Sequence, residues 1–321
     1  MLYPLKFEPI LKEKVWGGEK IAPYKGIETD IHKIGESWEL SAYKGDESIV
    51  SNGPLKGRGI DSLVKEYKGE LVGNKVYANT GDEFPLLIKF IDALTDLSIQ
   101  VHPGDEMAAR EHPGQNGKTE MWYVVAADPG AALLTGLKKS ITPEEYAASV
   151  EDGSITDLLT RYEVRAGDVF FLPAGRIHAI CSGCFIAEIQ QTSDLTYRIY
   201  DYGRVGLDGK PRALHTELAK KAIDYTVYPT YRTDYEMLPD REVEVVSCKY
   251  FTTSIFQLTG AFTKDLSGLD SFLVVMCLDG KGFIDDVPVH RGETVLVPAS
   301  ARKVEFAPDG GELKLLTSCI K

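Results

Sequence analysis

Apolar residues along this chain fall in short runs separated by Gly, Pro, Asn and Asp. The clearest are FPLLIKFI (84–91), LSIQVHP (97–103), MWYVVAA (121–127), DVFFLP (168–173), FIAEIQQ (185–191), FTTSIFQL (251–258), SFLVVMCL (271–278) and TVLVPA (294–299). Short Val-, Ile-, Phe- and Tyr-rich runs bounded by turn residues predict strands. Their repetition predicts a mainly β chain, a sandwich or barrel rather than alternating βαβ units. Helical signals are few. Asp61 is placed to cap DSLVKEYKG, closed by Gly69. Thr142-Pro143-Glu144-Glu145 has Thr as N-cap, Pro at the first helical position and Glu at the third, and opens PEEYAASVEDG. Ser154 then begins ITDLLTRY, and Thr216 with Glu217 begins ELAKKAIDY. These read as a small helical insertion or cap on a β core.

The polar segment TVYPTYRTDYEMLPDRE (226–242) reads as a connector, which places a boundary near 240 and two domains over 1–240 and 241–321. One internal echo links them. Gly167, five residues, Pro173 and Ala174 recur in pattern as Gly292, five residues, Pro298 and Ala299. Only the first copy goes on to a histidine, so the second domain reads as a degenerate, metal-free version of the first.

Composition narrows the class. A hydrophobic content of 43% with 26% charged excludes collagen-like and disordered chains. The net charge of -12 disfavours nucleic acid and anionic lipid, both of which require clustered cations, yet leaves room for a local basic pocket. Five scattered cysteines do not form a secreted disulfide framework. The N-terminal residues lack an apolar signal-like core, and no apolar run approaches the ~20 residues of a membrane helix. The expectation is a cytoplasmic monomer or weak homodimer whose partner is a small molecule.

The candidate chemistry centres on Gln100 and His102, which share a strand face because residues i and i+2 point the same way. Glu120 shares a face with Trp122 and Val124, and His178 follows the turn in GDVFFLPAGRIHAI. Two imidazoles, a carboxylate and an amide oxygen can hold a divalent cation and leave a position open. Each residue alone reads more simply as a hydrogen-bonded core or surface group; their order along the chain gives the set its weight. In Gly167-x5-Pro173-x-Gly175-x2-His178, the first glycine makes the turn into a strand. Pro173 ends ladder pairing, and Gly175 permits the bend that returns His178 to the others. This string resembles the second motif of the cupin superfamily. That resemblance implies a double-stranded β-helix (jelly-roll) barrel with a metal at its mouth, plus a second, smaller cupin-like domain.

GESWELS (35–41), LLIKFIDALTDLSIQVHPGDE (86–106), GKTEMWYVV (117–125), LPAGRIHAI (172–180) and EIQQTSDLTYRIYDYGR (188–204) narrow it further. Together they resemble the type I phosphomannose isomerases (mannose-6-phosphate isomerases), in their compact bacterial branch. The resemblance implies one Zn²⁺ per chain on Gln100, His102, Glu120 and His178. It implies catalytic roles for Arg198, Lys118 and Glu188, and places Lys89, Ser98 and Arg198 on the side of a sugar-phosphate substrate. Such an enzyme moves a proton between C1 and C2 of mannose 6-phosphate and fructose 6-phosphate through an enediol(ate). Glu188, a metal-held water and His102 are each open as the base. Lys118 beside a metal and Arg198 is expected to have a lowered pKa. Simpler readings stand beside these: Arg198 paired with Asp194 or Asp201 on a surface hairpin, Glu188 solvated, Lys118 a turn charge. Two other functions compete: an oxygenase-type metal cupin and a non-catalytic sugar-binding cupin. The CxxC of Cys181 and Cys184 encloses Ser-Gly and reads as a hairpin turn rather than a metal or redox site.

Overall fold

The computed structural model describes residues 2–321. As expected, the chain is mainly β. Its strands form antiparallel sheets of five, seven, six and four strands. They stack in that order, and each gap has its own apolar filling. Ile91, Val124, Leu133, Phe170 and Ile180 lie between the five- and seven-stranded sheets. Ile88, Phe90 and Ile189 meet Val274, Met276 and Leu316 between the seven- and six-stranded sheets. Phe256, Val275 and Cys277 meet Ile284, Val304 and Phe306 in the last gap. The alternation of strand side chains explains this division: Val274 and Met276 fill one gap, Val275 and Cys277 the next. On the outer face of the five-stranded sheet, Ile99, Val101 and Ala179 pack under Tyr146, Ile155 and Ala219 of the short helices. Each fully buried large side chain contributes ~1.5–3 kcal/mol relative to exposure.

The capping box at Thr142 forms. Glu145 N donates to Thr142 Oγ1 at 3.1 Å and Thr142 N to Glu145 Oε2 at 2.7 Å, starting the helix Pro143–Glu151. Other expectations need correction. Gly59, not Asp61, stands at the N-cap of Ile60–Tyr67, and Asp61 sits within the first turn without capping it. Only Ile155–Leu158 of ITDLLTRY is helical; Leu159–Glu163 is a strand paired with Ala132–Leu137, because sheet pairing overrides a weak helical preference. Strands Ile10–Gly18 and Ile34–Leu40 were not among the apolar runs, since Lys12, Lys14, Glu36 and Glu39 interrupt their pattern. The Cys181–Cys184 bend is not a hairpin. The strands it joins, His178–Ile180 and Cys184–Gln191, belong to different sheets, so the bend carries the chain across the gap. Both thiols are free, and burial pushes their pKa values up to about 11 and about 12, so neither is a poised thiolate.

The two halves of the echo are built alike. Gly167 has φ +96° and leads into strand Val169–Leu172; Gly292 has φ +87° and leads into Thr294–Val297. The connector contributes Arg232–Thr233 to the edge of the seven-stranded sheet. Leu5–Lys6 pairs with Thr294–Val297, joining an N-terminal strand to the six-stranded sheet. Among the described residues, no helix is long and apolar enough to cross a membrane.

Candidate metal centre and active site

Strand register assembles the site. Gln100 is the cross-strand partner of both His178 and Arg198, so these three side chains form a row on the inner face of the five-stranded sheet. On the facing sheet Trp38, Lys89, Glu188 and Trp122 form a second row. Glu36 and Glu120, two residues from Trp38 and Trp122, project from that same face. The two rows look at each other across the gap. Gly175, with φ +88°, makes the bend that brings His178 into line; a Cβ there would come within 2.9 Å of the Ala222 carbonyl oxygen.

His102, Glu120 and His178 converge, with one potential ligand atom from each lying within 4.8 Å of the others. His178 Nε2 is 3.3 Å from Glu120 Oε1, and His102 Nε2 is 3.6 Å from Glu120 Oε2. All three are at most 2% exposed. Each imidazole is oriented by its other nitrogen: His102 Nδ1 lies 2.8 Å from the Leu195 carbonyl and His178 Nδ1 2.8 Å from that of Arg176. An Nδ1–H donated to a carbonyl leaves the Nε2 lone pair facing the cluster. His102 Nε2 and both Glu120 oxygens are buried without a hydrogen-bond partner of acceptable geometry. Orphaned acceptors are costly in isolation and are what a bound cation would satisfy.

The charge balance agrees. Burial pushes His178 down to about 4 and, with the Lys118 charge, His102 well below its usual range, so both rings are neutral donors. Burial, then the neighbouring Glu188 charge, pushes Glu120 up to about 8. A divalent cation would supply the positive charge whose lack makes that carboxylate hard to ionise. The residues therefore fit a metal. Gln100 joins them at the edge: its amide lies 3.3 Å from His178 Nε2, and turned over it would present its oxygen to the cluster.

Above the cluster a 390 Å³ cleft is lined by Lys89, Ser98, Gln100, Lys118, Glu188 and Arg198. Its floor is an ionic network. Lys118 Nζ is 2.9 Å from Glu120 Oε2 and 3.9 Å from Glu188 Oε1; Lys89 Nζ is 3.4 Å from Glu188 and 3.9 Å from Glu36. Trp122 Nε1 donates to Glu188 Oε2 at 2.8 Å, and Trp38 Nε1 to Glu36 Oε2 at 2.6 Å. Burial alone would lower the Lys118 pKa, but Glu120 and Glu188 outweigh it and hold the ammonium above the ordinary lysine range. That is opposite to the expected lowering, because carboxylates rather than Arg198 are its close charged neighbours. Burial opposes ionisation of Glu188 and Glu36 as well. Lys118 and Lys89 nevertheless keep Glu188 low, and Lys89 with Lys14 brings Glu36 to about 2.

Ser98 is buried, its hydroxyl 3.4 Å from Gln100 Oε1. Arg198 is fixed by Nη1 donating to the Ala213 carbonyl at 3.1 Å, while its Nε has no partner. It does not take up the surface pairing with Asp201, which is already held by Arg204 and Arg212. Arg212 itself lines the cleft, as do Lys14, Glu36 and Tyr43, and none of these four was singled out from sequence. Glu36 lies in GESWELS, where a carboxylate in an otherwise buried strand was the available signal; Arg212 sits in a polar loop with no motif around it.

Antiparallel sheets enclosing two neutral imidazoles and a carboxylate beneath a cleft lined by lysines and arginines define a mainly β protein with a candidate metal site beside a pocket suited to a small anion. Comparison with known proteins narrows this. Residues 4–133 match the family described as phosphomannose isomerase type I, catalytic domain. The chain is 37% identical over 286 residues to the probable mannose-6-phosphate isomerase GmuF of Bacillus subtilis, covering 88% of each. It is 35% identical to the mannose-6-phosphate isomerase of Streptococcus mutans, over 99% of this chain and 98% of that protein. The crystal structure of the mannose 6-phosphate isomerase from Bacillus subtilis superposes with a TM-score of 0.88 at 31% identity, covering 98% of this chain and 99% of that one. The chain belongs to the type I phosphomannose isomerase family.

Proposed function

We propose that the protein is a zinc-dependent isomerase that interconverts mannose 6-phosphate and fructose 6-phosphate by proton transfer between C1 and C2. The observation that carries this is the convergence of His102, Glu120 and His178, with orphaned acceptors, under a cleft rich in fixed cations. Borderline nitrogen donors with a carboxylate, and Gln100 as a further oxygen donor, suit Zn²⁺. When bound, the metal supplies Lewis-acid polarisation of a sugar oxygen. We also propose that the two sheets around the site form a double-stranded β-helix barrel, and that residues 241–321 form a second, smaller cupin-like lobe without a metal. The matched Gly167 and Gly292 turns support that reading.

The remaining steps belong to the chain. Arg198 offers a permanent charge in a planar fork for the phosphate or the enediolate, with the Ser98 hydroxyl lining the same cleft. Lys118, held cationic, stabilises the negative charge that develops on the sugar oxygen. Among the candidate bases, His102 has both nitrogens committed, one to Leu195 and one to the cluster. Glu188 is ionised, borders the cleft and has Oε1 without a hydrogen-bond partner, so it is the chain's own acceptor for the C2 proton. Lys89 balances the Glu188 and Glu36 charges from beneath. Elemental analysis followed by a coupled assay of fructose 6-phosphate formation tests the reading. Zinc in the purified protein, with turnover lost on chelation and restored by Zn²⁺, is expected. Iron with oxygen uptake, or sugar binding without turnover, would replace it with one of the competing cupin functions.

A further inference from the structure

Glu120 begins a strand and Lys118 stands two residues before it, and four hydrogen bonds fix the backbone around this entry. Lys118 N donates to the Pro103 carbonyl at 3.0 Å. Thr119 N donates to Gln191 Oε1 at 2.9 Å, and Gln191 N to the Thr119 carbonyl at 3.1 Å. Gly117 N donates to Asp105 Oδ1 at 3.2 Å. The same Asp105 oxygen accepts from Gln191 Nε2 at 3.0 Å, so one carboxylate braces both Gly117 and the amide that holds Thr119. The approach is close: a Cβ on Gly117 would fall 2.5 Å from Asp105 N, which makes glycine necessary there.

Asp105 is in turn held from outside this pair of sheets. Its Oδ2 accepts from Tyr250 Oη at 2.7 Å, with Lys249 Nζ 3.6 Å away. Tyr250 lies on the turn between Val243–Ser247 and Thr252–Leu258, two neighbouring strands of the six-stranded sheet. A chain of hydrogen bonds thus runs from that turn through Asp105 to the residues on either side of Lys118. We infer that Asp105, buttressed by Tyr250, is a positioning residue for Lys118 and Glu120, and that the turn at 248–251 thereby takes part in shaping the active site. This gives the C-terminal strands a part in catalysis although they contribute no side chain to the cleft. Partners two steps from a metal act by fixing the orientation of its ligands, and disturbing them lowers metal affinity and turnover without abolishing the site.

The inference rests on the metal reading, and the test separates the two. Zn²⁺ affinity is measured on the full-length protein by competition with a chromophoric chelator, alongside kcat, KM and thermal unfolding. Failure of the wild-type chain to bind Zn²⁺ would defeat both the metal reading and this inference. With wild-type binding in hand, Asp105→Ala is expected to weaken Zn²⁺ roughly tenfold and Tyr250→Phe about threefold, with kcat falling in parallel and KM little changed. Asp105→Asn keeps Oδ1 for Gly117 and Gln191, and is expected to restore both quantities to within about twofold of wild type. Tyr250→Phe removes a single hydroxyl and serves should Asp105→Ala fail to fold. Variants that lose thermal stability but keep wild-type Zn²⁺ affinity and kcat would reduce the contact to a purely structural one and overturn the inference.

Discussion

The gap between the five- and seven-stranded sheets and the gap between the six- and four-stranded sheets are filled on opposite principles. The second buries no charged group, with Phe256, Val275, Ile284, Val304 and Phe306 in one cluster and only the neutral Thr252, Ser254 and Thr317 buried beside it. The first holds apolar residues at one end, but at the other it buries Glu36, Lys89, Lys118, Glu120, Glu188, His102 and His178. Desolvating an ion costs several kcal/mol even after relaxation, and well-packed apolar residues would serve stability better. The strands entering both gaps begin alike, from a positive-φ glycine into four residues of strand. They diverge after the proline. Gly175 lets the first turn back to deliver His178, whereas Ala299-Ser300-Ala301 has no glycine and leads into strand Lys303–Pro308, which places Val304 and Phe306 inward. A shared turn therefore serves a costly, chemically active interior in one place and a cohesive one in the other.

That contrast can be broken in order of expected effect. Removing a first-gap ligand by His178→Ala should abolish metal retention and lower turnover by more than about 100-fold, exceeding what loss of a partner behind a ligand costs. A variant with normal zinc content by elemental analysis would exclude His178 as a ligand. Arg198→Lys keeps charge and fold but loses the fork; kcat should fall about 100-fold with zinc retained. Near-wild-type steady-state rates would take Arg198 out of the mechanism. In the second gap, Phe256→Ala should cost about 3–5 kcal/mol in denaturant unfolding while leaving kcat per folded molecule unchanged. A matching loss of kcat in the folded fraction would show that the two interiors are not functionally separate. The smallest effect belongs to the bend between sheets. The Cys181→Ser, Cys184→Ser double variant should keep zinc and turnover, losing only about 1–3 kcal/mol through buried hydroxyls; zinc loss would reinstate the CxxC as a ligand pair.

Much of the candidate site was legible because its residues stand beside features with their own physical signature. His102 shares a strand face with Gln100, and His178 follows a glycine bend. Arg212 carried no such mark: it reaches the cleft from a polar loop, and only the tertiary path puts it there. The N-terminal strands Ile10–Gly18 and Ile34–Leu40 were hidden for a related reason. Glu36 and Glu39 are buried through lysines outside their own strand, Lys89 and Lys14 for the first and Lys25 for the second, so local hydropathy underrated the segment. Short helices such as Asp105–Glu111 and Asn74–Thr80 lack a periodic stripe long enough to be read, and packing decides them. The Lys118 ionisation runs against the expectation because Glu120, two residues away, and then Glu188, whose strand pairs with that of Glu120 from nearly seventy residues away, together outweigh burial.

Leu5 is matched with Leu296 across the ladder, so two of the most widely separated stretches of the chain share one sheet. During synthesis the first of them leaves the ribosome well before its partner and must wait until Thr294–Val297 have been made. Over that interval its backbone groups depend on solvent or on chaperones. Ordering of the six-stranded sheet is thus tied to synthesis of Thr294–Val297, and a ribosome stalled short of residue 294 would release a product unable to seat Leu5–Lys6.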